Sequence, residues 1–95
     1  MVDALEQQAQ EVAERMKILS HPQRLLILCH LKDKNMNVTD LVESTGLSQS
    51  QTSQFLMRMT REGILNSKKV GKFVYYKVSD KRMIKIIKAL SNIFS

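Results

Sequence analysis

The sequence predicts a mostly α-helical fold carrying one β-hairpin. Three observations predict it. Most segments of the 95 residues repeat their apolar side chains at steps of three and four. One stretch, residues 64–78, switches to period two. Pro22 and the three glycines, Gly46, Gly63 and Gly71, stand where a helix or turn should begin or end. No linker, repeat or low-complexity tract divides the chain, so residues 1–95 read as one domain.

Taken in order, residues 3–19 place Leu5, Ala9, Val12, Ala13 and Met16 at helical spacing, an amphipathic helix. Ser20 can cap the next helix, and Pro22 suits its first turn. The body of that helix, 23–31, is nearly all apolar, as expected of a helix buried on most sides. The polar stretch 32–35 ends it. Asn37 caps a short helix with Asp40 in its first turn, and Gly46 stops it. Ser48-x-x-Gln51 then fits the capping-box pattern. The helix it opens, 48–62, carries Thr52, Phe55, Leu56 and Met59 on one stripe and stops at Gly63. Residues 64–69 and 72–78 read as strands joined by a turn at Val70-Gly71. Ser79 or Asp80 caps a last helix bearing Met83, Ile84, Ile86, Ile87, Leu90, Ile93 and Phe94.

Two helices joined by Gly46-Leu47-Ser48 make a helix-turn-helix. With the hairpin behind it, the pattern is a winged helix-turn-helix. The last stripe is wider than one small core needs.

Composition removes several classes. With 43% apolar and 25% charged residues the chain is globular rather than disordered. No apolar run approaches the roughly 18 residues of a membrane span. The polar, acidic first 15 residues do not read as a signal peptide. One cysteine excludes an intramolecular disulfide and CxxC-type sites. A cytoplasmic protein without a cofactor is expected. No nucleophile–histidine–carboxylate set or phosphate loop speaks for an enzyme.

Charge names the partner. Residues 1–47 hold 5 basic and 7 acidic side chains; residues 48–95 hold 10 basic and only 2 acidic. A net charge of +6 with its excess in one half indicates a polyanion, here double-stranded DNA. The second helix of the pair should enter the major groove. Its side chains off the inward stripe are Gln49, Ser50, Gln51, Ser53, Gln54, Arg58 and Arg61. Amides and hydroxyls can read base edges, and the two arginines suit phosphates. Lys68, Lys69 and Lys72 around Gly71 form a cationic hairpin tip. The plain alternatives are a solvated helix face and solubilising lysines. A protein-interaction winged helix and a membrane-surface helix through Lys81, Arg82, Lys85 and Lys88 are the rival classes.

The phrases LSHPQRLLILCHL (19–31), LSQSQTSQFL (47–56), REGIL (61–65) and GKFVYYKVSD (71–80) resemble ArsR/SmtB-type winged-helix repressors of bacteria. The likeness spans nearly the whole chain. It implies a homodimer that represses transcription until a small inducer binds. The implied interface is on the first and last helices, here Leu5, Val12, Met16, Ile86, Ile87, Leu90 and Ile93, which matches the excess apolar surface of those helices. One departure is Phe55, where the family usually has histidine; on the inward stripe it reads as core.

The inducer is a separate question. The metal-sensing positions implied by the family hold Val38-Thr39-Asp40-Leu41, without a thiol, and a last helix without histidine. His21 and His30, nine residues apart, would lie about 180° apart on one helix. No metal site is expected, although a metal-responsive or non-sensing repressor stays an alternative. The run LLILCHL resembles the HlyU/BigR/SqrR-like branch, which senses reactive sulfur or oxidants. That resemblance makes Cys29 the sensing thiol. Its partner position, near the end of the last helix, holds Ser95. A natural one-cysteine relative, a replaced cysteine and a member that has lost sensing all fit. The plain alternative for Cys29 is a small buried hydrophobe.

Overall fold

The computed structural model describes residues 3–95. Along them run α1 (Ala4–Gln7), α2 (Ala9–Leu19), α3 (Pro22–Leu31), α4 (Val38–Thr45), α5 (Gln49–Arg61), β1 (Leu65–Val70), β2 (Phe73–Val78) and α6 (Lys81–Ile93). This is the winged helix-turn-helix order, with α4 and α5 as the helix pair and β1–β2 as the wing.

The expected first helix is broken at Gln8, whose φ of −108° and ψ of 14° leave the helical region. No buried contact opposes the break. α1 buries no residue, and Leu5, its one large apolar side chain, is 59% exposed. Ser20 does not cap α3. It closes α2, donating its hydroxyl to the Lys17 carbonyl at 2.6 Å. His21 is the residue that opens α3, at φ −97° and ψ 118°. The proline behind it forces that extended backbone. α3 is also less enclosed than its composition implied: Ile27, Leu28 and Leu31 are buried, while Leu26 is exposed.

The pair that follows forms as its caps dictate. Asn37 accepts from the Asp40 N–H at 2.8 Å, and the Asp40 carboxylate accepts from the Asn37 N–H at 3.3 Å. Gly46 ends α4 at φ +75°, a left-handed value natural to glycine. At α5 only half of the expected capping box forms. Ser48 Oγ accepts from the Gln51 N–H at 3.1 Å, but the Gln51 side-chain oxygen accepts from the Ser48 hydroxyl, not from its backbone.

β1 and β2 pair antiparallel, from Leu65 opposite Val78 to Val70 opposite Phe73. The turn is therefore Gly71-Lys72, one residue later than the sequence placed it. Gly71 takes the positive φ of +62° that a two-residue hairpin asks of its first position. One rung was not foreseen. Met36, between α3 and α4, exchanges two backbone hydrogen bonds with Tyr76, at 2.8 and 3.1 Å.

The core gathers Ile27, Leu28, Leu41, Leu56, Met59, Met83 and Ile87, all fully buried. Ile87 thus has no surface to offer a partner, and its assignment to the dimer interface is corrected. It falls on the inner side of a stripe whose other side remains open.

Candidate nucleic-acid interface

α5 turns one face inward and one outward. Thr52, Leu56 and Met59 are buried, and Phe55 is half-buried with its ring tilted against His21, centroids 5.1 Å apart. Phe55 is therefore packing, as its position on the stripe implied. At 100° per residue the middle of the opposite face falls on Ser50, Gln54, Met57 and Arg61. All four are exposed, as are Gln49, Gln51 and Arg58, while Ser53 is half-buried. Sequence reasoning missed Met57. It is 58% exposed, an apolar side chain in the centre of a polar face. The signal was available, since Met57 lies two positions from the buried Met59 and so off the inward stripe.

The cations are not equivalent. Arg58 Nε is 3.1 Å from the Glu62 carboxylate, four residues on, so its charge is already met within the helix. Arg61 makes no ion pair among the described residues. Lys68, Lys69 and Lys72 are all exposed. The register divides them. Lys68 lies opposite Tyr75 and shares a face with Val70 and Phe73; Lys69 lies opposite Val74 and shares the other face with Ser67 and Tyr76. Ser67 and Tyr76, together with Met57, Thr60 and Arg61, line a cleft of about 290 Å³. Lys69 therefore stands on the side of the wing that continues the outward face of α5. Lys72 sits in the turn.

Behind this face lies an ionic knot that sequence could not show. Asp80 caps α6 by accepting from the Arg82 N–H at 3.0 Å and is 3.0 Å from Arg15 Nε, 65 residues earlier. Arg15 and Arg82 also both reach Glu11. Burial pushes the Asp80 carboxyl up, but the Arg82 and Arg15 hydrogen bonds outweigh it and hold it below the usual carboxylate value.

Cys29 is half-buried against the core, not enclosed, and its carbonyl accepts from Lys32 Nζ at 3.0 Å. Ser95 is exposed and donates its hydroxyl to the Asn92 carbonyl at 3.0 Å. Among the described residues no three His, Cys, Asp or Glu side chains gather as a metal site, and no helix is long and apolar enough to cross a membrane. Of the residues expected at a dimer interface, Leu5 and Ile93 are exposed, and Val12, Met16, Ile86 and Leu90 are half-buried. Phe94, 82% exposed, extends that apolar strip.

Comparison with known proteins agrees with this geometry. Residues 21–67, which run from the start of α3 into β1, match the model of the bacterial regulatory protein family arsR. The HTH-type transcriptional regulator YgaV of Escherichia coli K12 is 37% identical over 91 residues, covering 95% of this chain and 92% of its own length. The crystal structure of the transcriptional repressor BigR from Xylella fastidiosa superposes with a TM-score of 0.90 at 32% identity, covering 96% of this chain and 93% of that one. The transcriptional regulator HlyU from Vibrio vulnificus gives 0.89 at 30% identity, covering 96% and 95%. Shared helix pair, shared wing and near-complete coverage leave one conclusion: the chain belongs to the ArsR family of bacterial regulatory proteins, and it is a transcriptional regulator, not an enzyme.

Proposed function

We propose that this chain is a homodimeric repressor that binds an inverted-repeat operator. Residues 1–95 act as one DNA-binding and dimerisation domain. The helix opened by Ser48 and ended at Glu62 enters the major groove, and the wing, residues 64–78, lies over the flanking backbone. One observation carries this reading: the outward face of α5 offers amides, hydroxyls and Arg61 without a carboxylate, and it runs on into a cationic hairpin. Gln49, Ser50, Gln51, Ser53 and Gln54 face base edges; Arg58, Arg61, Lys68, Lys69 and Lys72 serve phosphates.

Dimerisation is supported by shape. The subunit measures 52 × 28 × 20 Å with a radius of gyration of 14.1 Å, against about 12 Å for a compact chain of this length. It exposes 6606 Å², where a compact monomer of this size exposes about 5600 Å². The difference is on the order of one side of a standard interface. Leu5, Ile93 and Phe94 supply apolar surface for it.

Cys29 is the only thiol, and a bridge between helices needs two sulfurs. We therefore assign this chain DNA binding that a persulfide or oxidant does not release.

The test is footprinting on genomic fragments that include the gene's own upstream region, with an electrophoretic shift against random competitor DNA. A protected inverted repeat with half-sites one or two helical turns apart is expected. Equal affinity for all duplexes would overturn the assignment.

A further inference from the structure

The wing is apolar where a solvated hairpin tip should be polar. Residues 66–74 are exposed on both faces of the two strands. Within them Val70 is 53% and Phe73 47% exposed, and the two stand directly opposite each other on the last rung before the turn. Opposed side chains share a face and touch. They form one knob at the end of the hairpin, with Val74 exposed behind it on the other face. A hairpin solvated on both sides gains little stability from such side chains. Two apolar side chains exposed side by side at a tip leave it free to make an apolar contact.

The surroundings say what the contact is. Lys68, Lys69 and Lys72 lie within two rungs of the knob, Lys77 stands farther down β2, and no carboxylate occurs between Glu62 and Asp80. Two such hairpins repel each other, and the complement is a polyanion. The cleft shared by Met57, Arg61 and Ser67 joins the Ser67 face of the wing to the outward face of α5. The Val70–Phe73 pair stands on the other face, at the tip that projects beyond this cleft. A duplex read by α5 in its major groove presents the neighbouring minor groove to this hairpin.

We propose that the Val70–Phe73 pair is a wedge. It enters that minor groove, partly unstacks one base step and kinks the duplex, while the flanking lysines hold the phosphates. Apolar side chains inserted between base steps act this way in minor-groove binders. The inference rests on the DNA-binding function proposed above. It adds a specificity that no hydrogen bond supplies: the step under the wing should be a pyrimidine–purine step, TA or CA/TG, because these unstack most readily.

The probe is a duplex of about 40 base pairs that the protein itself enriches from a randomised pool. It is labelled at both ends for energy transfer and carries 2-aminopurine beside each half-site. Binding should shorten the end-to-end distance by a kink of roughly 20° or more per half-site and raise the 2-aminopurine fluorescence. Phe73→Ser and Val70→Ser, at exposed positions, should remove both signals and weaken binding about tenfold. Phe73→Leu, still a wedge, should keep them. Lys72→Ala should weaken binding and leave the kink. A straight duplex, or a bend that survives the double serine variant, overturns the wedge while leaving DNA reading intact. No enrichment from the pool overturns the DNA-binding function and the wedge together. If Phe73→Ser spares the duplex but abolishes binding to phosphatidylserine vesicles, the knob is a membrane contact and the wedge is wrong.

Discussion

Asp80 shows how much one side chain can hold. It caps α6, and through Arg15 it ties that helix to α2. Asp80→Ala removes a cap together with a half-buried ion pair, and should cost about 1–2 kcal/mol in urea unfolding. The folded state keeps this carboxyl below its ordinary value, so the unfolded chain takes up the proton first. Its contribution is complete above about pH 4 and disappears as pH falls through the folded value. Urea melts from pH 6 to pH 3 should therefore lose less stability in the alanine variant than in the parent protein. Cys29 carries a second prediction. Treated with an organic persulfide, the protein should keep its operator affinity, and its intact mass should show at most an adduct on one sulfur. Ser95→Cys should make affinity fall on treatment. Release by the unaltered chain, with no bridge in the mass spectrum, would show that one thiol suffices.

At the scale of elements, α5 gives the sharpest test. Alanine at Gln51, Gln54, Ser50 or Ser53 should weaken operator binding more than random-duplex binding, with about 1–3 kcal/mol of discrimination lost per good base contact. Gln51 has a further constraint, because the Ser48 hydroxyl donates to its side-chain oxygen. Lys69→Ala or Arg61→Ala should weaken both duplexes alike and lower the salt slope by about one. Arg58→Ala should do less, since Glu62 already neutralises Arg58. Equal losses on both duplexes for every glutamine and serine change would mean that α5 does not read sequence. Much of this element was legible in the chain itself. Ser48, the stripe from Thr52 to Met59 and Gly63 mark its start, its buried side and its end by local rules. What stayed hidden depends on partners distant in sequence. The break at Gln8 has no local stop signal, and the Arg15–Asp80 pair spans 65 residues. The cross-strand partners of the wing lysines depended on the turn. A turn at Val70-Gly71 would set Lys69 opposite Lys72, whereas the observed register sets Lys69 opposite Val74 and leaves Lys72 in the turn.

For the whole molecule the expected state is a dimer. Leu90 is half-buried on the open side of α6, next to the exposed Ile93 and Phe94. Leu90→Glu should yield a monomer by sedimentation at micromolar concentration and lose operator affinity in the same step. A leucine-sized side chain is worth roughly 1.5–3 kcal/mol when buried, and it would be buried twice across a two-fold axis. A stable monomer of the unaltered chain at that concentration would refute the assignment. Ile87→Glu is the wrong probe, because it would disrupt the subunit's own core.

The rung between Met36 and Tyr76 also limits how the wing can move. It fastens β2 at Tyr76 to the segment that leads into α4, so the hairpin does not pivot at Gly63. Only the length from Tyr76 to the turn can swing, a lever of about 10 Å at 3.4 Å per residue. In deuterium exchange the amides of Met36 and Tyr76 should be slow, and those of residues 66–74 that face outward should be fast. The wing then behaves as a short finger on a fixed knuckle. Its tip can follow the curvature of a groove, while the angle between hairpin and α5 stays constant.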